Sequence, residues 1–309
     1  MRAIHHLVSL SGGKDSTATL LLARMQFPDS FSAVFADTGN EHELTHEYLL
    51  YLEAALGIKV KRLKADFSDR YASKRKWITE KWPEHGIPAA QCEEALVLLH
   101  PTGNPFLDLC MLKGRFPSRM AQFCTDELKI KPLTEYALDL IDLADCDVWS
   151  WQGVRRDESD ARRNAVGHEE IGAGIWAHRP IAGWTAQQTV DFVVKLCGVQ
   201  LNPLYSLGMT RVGCMPCINA KKAEIAEISR RFPEHIDRIA QWEKLVIAVS
   251  KRRGASFFPA PTGDNRGVLR GGDIYAQVKW AKTLRGGKVV DEQWEQDAPA
   301  CASSYGLCG

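Results

Sequence analysis

The sequence lacks long hydrophobic runs, a large excess of charge of one sign, internal repeats and low-complexity tracts. Because it contains no stretch of about 18 apolar residues, we expect no membrane span. The first residues lead into a predicted core strand without the apolar segment and cleavage site of a secretory signal, so we expect a cytoplasmic protein. Lys plus Arg total 39 and Asp plus Glu total 38, a net charge of +1. This balance excludes a histone-like polybasic protein but leaves room for a local nucleic-acid-binding face.

The composition is that of a globular protein whose cysteines do not form a disulfide framework. The 309 residues, 45% hydrophobic and 25% charged, suffice for one large domain or two ordinary ones with a real core. The nine cysteines are odd in number and scattered through a chain expected in a reducing compartment. We expect Cys110, Cys146 and Cys197 to be buried small hydrophobic residues. Cys214 and Cys217 form a C-x-x-C pair and need another explanation.

Strand and helix patterns alternate through the first part of the chain. Buried strands are predicted at 7–11, 31–37, 59–63 and 147–152, with helices at 16–24 and 43–56. Gly57 is a typical residue to end the second helix. This alternation predicts βαβ units, and therefore an α/β fold with a central, mainly parallel sheet flanked by helices.

The chain is predicted to divide into an α/β domain over residues 1–218 and a mostly helical C-terminal region over 219–309. Within the first domain, residues 66–135 interrupt the alternation and predict an insertion or lid. In the second region, two helices are expected over 220–253 with a break at Phe232–Pro233, followed by a loop over 254–272, a helix over 274–284 and an irregular tail.

The strongest chemical signal is a glycine-containing loop between the first strand and the first helix. Two glycines allow a tight turn, and the N–H groups of the loop and of the first helical turn converge on one spot that suits an anion. The hydroxyl groups add hydrogen-bond donors, and the lysine adds charge. The pattern is neither a Walker A motif nor G-x-G-x-x-G, and an ordinary capped Gly-Gly turn is the alternative. The loop consists of Ser11, Gly12, Gly13, Lys14, Asp15, Ser16 and Thr17.

This loop resembles the pyrophosphate-binding PP-loop of the adenine-nucleotide α-hydrolase superfamily, and most closely its phosphoadenosine-phosphosulfate reductase-like branch. Four further segments match motifs of that branch in the right order, and the resemblance covers residues 5–220. They are D-T-G at Asp37, Thr38 and Gly39, C-T-x-x-L-K-x-x-P at 124–132, G-x-R-x-x-E-S at 153–159 with Arg162, and R-P-I at 179–181 with Trp184.

The resemblance implies a PP-loop fold that binds ATP and Mg²⁺. Asp37, with Thr38 and Gly39, would lie against the adenosine part, and Gly153 would line the same site. Arg155 and Arg162 would contact phosphate or sulfate oxygens, since a guanidinium offers two parallel donors. Glu158 would orient an arginine or help to hold Mg²⁺. Alternatively, the arginines form a solvated, salt-bridged helix start. The expected catalytic residues are Asp15, Cys124, Arg155, Glu158 and Arg162.

The resemblance also implies that Cys124 lies near Cys214 and Cys217. Thiolates grouped in this way hold an iron–sulfur cluster or zinc, and Cys301 and Cys308 would supply further ligands. The resemblance favours a [4Fe–4S] cluster. Zinc, a redox-active C-x-x-C pair and the absence of any metal remain the alternatives.

Three functions compete on this basis. The first is a sulfonucleotide reductase that releases sulfite. The tail at 305–309 lacks the E-C-G-x-H segment of one reductase type, and Phe123 stands where the cluster-containing type has a second cysteine. The third is a non-catalytic nucleotide-binding subunit that kept only the fold.

The second function, which we prefer, is an ATP pyrophosphatase that adenylates a nucleic-acid oxygen so that sulfur can replace it. Relatives in DNA phosphorothioation, the closest in kind, and in tRNA thiolation work in this way. A cysteine desulfurase would donate sulfur, and DNA is the preferred acceptor over tRNA, contacted directly or through partner proteins. Lys129 and Lys131 are expected to lower the pKa of Cys124. Basic runs near Trp77, Trp82 and Trp242 would form a nucleic-acid-binding face, or a merely solvated one.

Overall fold

A computed structural model describes residues 2–259 and 272–283 of the chain. Six strands form one sheet in the order β3-β2-β1-β4-β6-β5, and all neighbours are parallel except β5 and β6. The predicted mainly parallel α/β sheet is therefore confirmed. The strands are β1 (Ala3–Leu10), β2 (Phe31–Ala36), β3 (Val60–Leu63), β4 (Cys146–Trp151), β5 (His168–Gly172) and β6 (Ile175–His178).

The helices follow the predicted pattern with shifted ends. Helix α1 begins at Lys14, inside the glycine loop, because Gly13 is still extended. The break between α9 and α10 falls at Phe232, and Pro233 opens the second helix as predicted. The helices are α1 (Lys14–Gln26), α2 (Glu43–Leu56), α3 (Ser68–Glu84), α4 (Ala89–Leu98), α5 (Pro105–Lys113), α6 (Phe123–Thr125), α7 (Lys131–Ala144), α8 (Ala186–Asp191), α9 (Lys222–Arg231), α10 (Pro233–Ala248) and α11 (Ile274–Ala281).

The two faces of the sheet are covered by different helices. Helices α1, α2 and α8 pack on one face, around Val8, Phe35 and Trp151. Helix α7 packs on the other face, around Leu7 and Val148. Strands β1, β2 and β3 follow one another toward one edge of the sheet, and β4 then pairs with the other side of β1. The strand order therefore reverses between β1 and β4. In an open parallel sheet, such a switch point leaves a crevice at the carboxyl ends of the strands, where ligands bind.

The predicted insertion forms helices α3 to α5, and they share one hydrophobic core with α9 to α11. Trp82, Phe106 and Leu109 of the insertion belong to the same buried group as Ile239 and Trp242 of α10. The rings of Phe106 and Trp242 stack with centroids 5.6 Å apart. The predicted domain boundary at residue 218 stays a prediction, but the core joins segments that lie on both sides of it. Within the described ranges, the chain forms no helix with the length and apolar character needed to cross a bilayer.

Candidate active site

The glycine loop at residues 11–17, called here the phosphate loop, lies at the switch point of the sheet. It follows β1, and residue 153 follows the neighbouring strand β4. A Cβ at Gly153 would lie 2.8 Å from the carbonyl carbon of Asp15 and from the backbone nitrogen of Ser16. Gly12 has a φ of +75°, and a Cβ there would lie 2.6 Å from Thr45 Cγ2. Gly153 is therefore required by the close approach of the loop backbone, and Gly12 by its positive φ and the Thr45 methyl group.

Hydroxyl groups of the phosphate loop hold its own backbone. The Oγ of Ser16 accepts a hydrogen bond from the Ser11 N–H at 3.1 Å and donates one to the Gly13 carbonyl at 2.9 Å. The Oγ1 of Thr17 donates to the same carbonyl at 3.1 Å. The predicted hydroxyl donors thus shape the turn in this structure, and the N–H groups of the loop remain the donors suited to an anion.

Two residues from the distant segment before the C-x-x-C pair also hold the loop. The hydroxyl oxygen of Tyr205 accepts a hydrogen bond from the Lys14 N–H at 3.0 Å. Asn202 Nδ2 donates to the Gly12 carbonyl at 3.2 Å. Sequence reasoning did not assign these two residues to the site. Their only signal was the turn-rich N-P-L-Y segment in which they stand.

Arg155 is a buried cation of the site, as is Lys14. Arg155 is only 3% exposed, and its Nε donates to Asp15 Oδ1 at 2.6 Å. Its Nη1 contacts the Asp157 carboxylate. The Lys14 ammonium lies 3.6 Å from Asp15 Oδ2. Asp15 therefore pairs with two cations at the phosphate loop, a positioning role that the sequence did not specify.

Glu158 and Arg162 lie farther out and pair with each other. Their side chains form an i,i+4 ion pair and are about one-third and two-fifths exposed. Arg163 pairs similarly with Asp160. The solvated, salt-bridged arrangement that the sequence left open therefore describes these arginines, whereas Arg155 is part of the buried site. Glu158 therefore pairs with an arginine, and the catalytic roles expected of Glu158 and Arg162 stay predictions.

The D-T-G turn after β2 connects the phosphate loop to the C-x-x-C pair. Asp37 Oδ1 accepts the Gly39 N–H at 3.0 Å, and its Oδ2 lies 3.3 Å from the Lys64 ammonium. Thr38 Oγ1 donates to Glu41 Oε1 at 2.7 Å and lies 3.5 Å from the Cys214 sulfur. The Thr38 hydroxyl, part of the predicted adenosine contact, therefore lies against the Cys214 sulfur.

Cys124, Cys214 and Cys217, called here the thiol site, come from distant parts of the chain. The backbone of Cys214 forms an isolated antiparallel β-bridge with that of Glu41, and the Cys214 sulfur lies 3.8 Å from Glu41 Oε1. The three sulfurs interact with Lys129, and the nearby Cys214 sulfur in particular raises the pKa of that ammonium. The structure thus brings together the three cysteines that the resemblance implied. Cys301 and Cys308 lie outside the described residues.

Lys129 lowers the pKa of Cys124 as predicted, but burial outweighs this effect and the net pKa is raised. The Lys131 ammonium is engaged with Glu127 at 3.1 Å. Burial likewise raises the pKa of Cys214 to about 12. Burial therefore favours the protonated form of the Cys124 and Cys214 thiols, and a metal bound there would displace those protons.

Sequence reasoning also missed two side chains near the D-T-G turn and misjudged two tryptophans. Ligand atoms of Asp37, Glu41 and His46 all lie within 4.8 Å of one another, a donor set that suits a divalent cation. A second acid four residues after Asp37 was the available signal.

Trp82 and Trp242 are buried in the helical core, so the predicted basic and aromatic surface is wrong for both.

Comparison with known proteins identifies the family. The family model described as phosphoadenosine phosphosulfate reductase domain matches residues 5–220. An uncharacterized 37.8 kDa protein of Escherichia phage 186 is 45% identical over 98% of this chain and 96% of its own length. Adenosine 5′-phosphosulfate reductase of Streptomyces coelicolor is 40% identical over 32% of this chain and 39% of its own. The solved phosphoadenylyl-sulfate reductase of Candida auris superimposes with a TM-score of 0.42 and 14% identity, over 70% of this chain and 83% of that one. The chain belongs to the phosphoadenosine phosphosulfate reductase domain family.

Proposed function

We propose that this protein cleaves ATP to AMP and pyrophosphate and uses the adenylyl group to activate a nucleic-acid oxygen for replacement by sulfur. The observation that carries the proposal is the adjacency of the nucleotide and thiol sites. Asp37, Thr38 and Gly39 would lie against adenosine, and the Thr38 hydroxyl lies 3.5 Å from the Cys214 sulfur. An enzyme that joins nucleotide activation to sulfur transfer needs both groups within reach of one acceptor.

The phosphate loop supplies what the first step needs. The acceptor oxygen attacks the α-phosphorus, the bond to the bridging oxygen breaks, and its electron pair leaves with pyrophosphate. Such a transfer needs positioning and charge stabilisation rather than covalent help from the protein. The loop N–H groups, the helix α1 N-terminus, Lys14 and Arg155 provide that charge. Asp15 would hold Mg²⁺ on the phosphates while it fixes Arg155, with which it forms a 2.6 Å contact.

We propose an iron–sulfur cluster at the thiol site, with zinc as the alternative. Four thiolates on one tetrahedral zinc lie about 4 Å apart, given Zn–S bonds near 2.3 Å. Among the residues that the structure describes, the three cysteines are not a group whose ligand atoms all fall within 4.8 Å. A cubane cluster spaces its ligands more widely because each thiolate binds a different iron. Cys124, Cys214 and Cys217 would hold it, with Cys301 or Cys308 as a fourth ligand, and the cluster would supply sulfur binding or electrons.

The partners of this reaction follow from its chemistry. A cysteine desulfurase would supply sulfur as a persulfide, whose outer sulfur displaces AMP from the activated acceptor; a second thiol would then cleave the remaining S–S bond, which leaves sulfur on the acceptor and forms a disulfide between the two thiols. Lys129, fixed among the thiols, favours the negative charge that sulfur and phosphate oxygens bring to this place. We propose DNA ahead of tRNA as the acceptor.

A sulfonucleotide reductase is the second candidate function. It is favoured by the 40% identity to adenosine 5′-phosphosulfate reductase of Streptomyces coelicolor, which covers about a third of this chain. The phosphate loop would then bind the nucleotide part of the sulfonucleotide, and the thiol site would supply the electrons for its reduction.

The two functions are separated by products under anaerobic conditions. The purified protein is given Mg-ATP in one reaction, and each of the two sulfonucleotides with thioredoxin in others. Pyrophosphate and AMP without sulfite support the adenylating enzyme, whereas sulfite identifies a reductase and overturns our preference. Asp15→Ala is expected to abolish turnover, while Asp142→Ala, an exposed residue of helix α7, serves as the matched control. ATP binding without turnover would support the non-catalytic subunit.

A further inference from the structure

Three basic side chains from separate helices converge on one carboxylate beside the thiol site. Glu127 lies in the segment between α6 and α7, three residues after Cys124, and its side chain is only 12% exposed. The Arg70 guanidinium of α3 lies 3.0 Å from Glu127 Oε2, and the Lys131 ammonium of α7 lies 3.1 Å from the same oxygen. The Lys113 ammonium of α5 lies 3.3 Å from Oε1. One carboxylate therefore holds three cations in place.

A fourth cation joins this group across an aromatic ring. The Lys113 ammonium lies 5.7 Å from the centre of the Phe123 ring, and the Arg115 guanidinium carbon lies 5.6 Å from the same point. At these distances a ring attracts both cations and keeps them near each other. Arg115 is exposed, and it forms no ion pair within the residues that the structure describes.

The group carries an excess of positive charge. Burial would raise the pKa of the Glu127 carboxyl, but the three cations around it hold that pKa below its usual value. A second acid, Asp126, lies 3.7 Å from the Lys131 ammonium. The three cations on Glu127 are between about one-third and one-half exposed, so they stay open to another anion. The group, called here the basic cluster, consists of Arg70, Lys113, Arg115 and Lys131 with the carboxylates of Glu127 and Asp126.

The basic cluster borders the thiol site through the segment 123–131. Phe123, whose ring lies against two of the cations, directly precedes Cys124, so their α-carbons are about 3.8 Å apart. Leu128 is fully buried in the helical core and anchors the segment. Lys129 of the same segment interacts with the three sulfurs. An anion bound to the basic cluster is therefore held at the edge of the thiol site.

The basic cluster suits a strand of phosphates. Arg70 and Arg115 each offer a guanidinium fork, whose two parallel donors match a phosphate. A nucleic-acid strand carries one phosphate for each nucleotide, and proteins bind it largely through such contacts, with release of counterions. An acidic protein suits the cluster less well, because specific protein interfaces have an apolar centre from which charged residues are depleted.

We propose that the basic cluster binds the phosphate backbone of the nucleic-acid acceptor and holds the strand beside the thiol site. The inference rests on the proposed function for the class of acceptor, but it concerns a surface outside the phosphate loop. Phosphate contacts position a strand without reading its sequence. Binding through the cluster is therefore expected to be independent of sequence and to weaken with salt.

The test measures the binding of a labelled single-stranded DNA of mixed sequence by fluorescence anisotropy, without ATP and over a range of salt concentrations. Lys113→Gln and Arg115→Gln each remove one charge from the basic cluster. Each is expected to weaken binding about 3- to 10-fold and to reduce the slope of log K against log salt by about 0.7. Lys195→Gln is the matched control. Lys195 pairs with Asp191 at 2.8 Å, is 75% exposed and belongs to a segment that packs on the sheet.

An RNA strand of the same sequence and a polyglutamate chain of equal charge are measured in parallel. Whichever nucleic-acid strand loses more affinity in the two cluster variants is assigned as the acceptor class. Tighter binding of polyglutamate than of either strand identifies an acidic protein as the partner and overturns the proposal. The proposal also fails if the wild-type protein binds neither strand, or if both folded variants keep the wild-type affinity and salt slope.

Failure of the proposed function has a different signature. The wild-type protein would then release no pyrophosphate from Mg-ATP, while the strand would still bind and the two cluster variants would still weaken its binding. Conversely, pyrophosphate release with strand binding that ignores both substitutions would keep the proposed function and remove the basic cluster from it.

Discussion

The substitution Gly153→Ala tests the geometry on which the whole site depends. An added Cβ would lie 2.8 Å from two backbone atoms of the phosphate loop, at Asp15 and Ser16. These atoms are backbone, so no side-chain rotation relieves the contact. The loop or the turn after β4 must move by about 0.6 Å, the difference between 2.8 Å and an ordinary contact distance of 3.4 Å.

The magnitude follows from two known effects. Overpacking of this kind costs about 1–3 kcal/mol of unfolding free energy. At roughly 2–4 °C for each kcal/mol in a domain of this size, the melting temperature falls by several degrees. Misplacement of a catalytic group by about 1 Å costs about 100-fold in rate, so a 0.6 Å shift of the loop is expected to lower pyrophosphate release by at least about 10-fold. The loss of activity is therefore larger than the loss of folded protein.

The assay compares pyrophosphate release and thermal melting for Gly153→Ala and for Gly183→Ala. Gly183 is the matched control, because a Cβ there meets nothing within 4 Å. The control is expected to keep both properties. If Gly153→Ala releases pyrophosphate at the wild-type rate and melts at the wild-type temperature, the close approach of β4 to the phosphate loop is refuted.

Three further predictions concern charge and thiols. Arg155→Lys is expected to lower kcat/KM about 10- to 100-fold in the pyrophosphate assay, because an ammonium cannot replace the guanidinium that contacts both Asp15 and Asp157. Cys214→Ser should remove bound iron in an iron assay of anaerobically purified protein, whereas the half-buried Cys197, changed in the same way, should keep it. Burial raises the pKa of Glu243 to about 7. Because this carboxyl binds its proton more tightly when folded, wild-type stability should fall by an amount on the order of 3 kcal/mol between pH 4.5 and 7, and urea unfolding of Glu243→Gln should not show that fall.

The helical C-terminal region helps to build the site. Arg238 of helix α10 donates to Asn40 Oδ1 at 3.2 Å and to the Met215 carbonyl at 2.9 Å. It thereby connects the turn after β2 with the C-x-x-C loop. The same two loops are also joined directly, since the Met215 N–H donates to the Asn40 carbonyl at 2.7 Å. Removal of the C-terminal helices would therefore disturb the thiol site as well as the shared core.

Local signals predicted much of the fold because they act within one element. Alternating strands and helices predicted the parallel sheet, and Pro233 predicted the break between α9 and α10. Strand β1 begins four residues before its predicted start. The prediction stopped short because His6, a polar residue, is buried within the strand. The sequence could not show that Trp151 Nε1 donates to that ring at 3.0 Å and satisfies it.

The sequence by itself determined the phosphate loop, the mainly parallel sheet and the set of chemically interesting cysteines, because glycine spacing and hydrophobic periodicity are local properties. Only the tertiary structure decided which charged side chains pair and which of them are buried. It buried Arg155 against Asp15, paired Arg162 with Glu158 in solvent, and raised rather than lowered the pKa of Cys124. The burial of Arg155 against Asp15, 140 residues away, and the burial of Cys124 cannot be read from spacing along the chain, whereas the i,i+4 pair of Glu158 and Arg162 can.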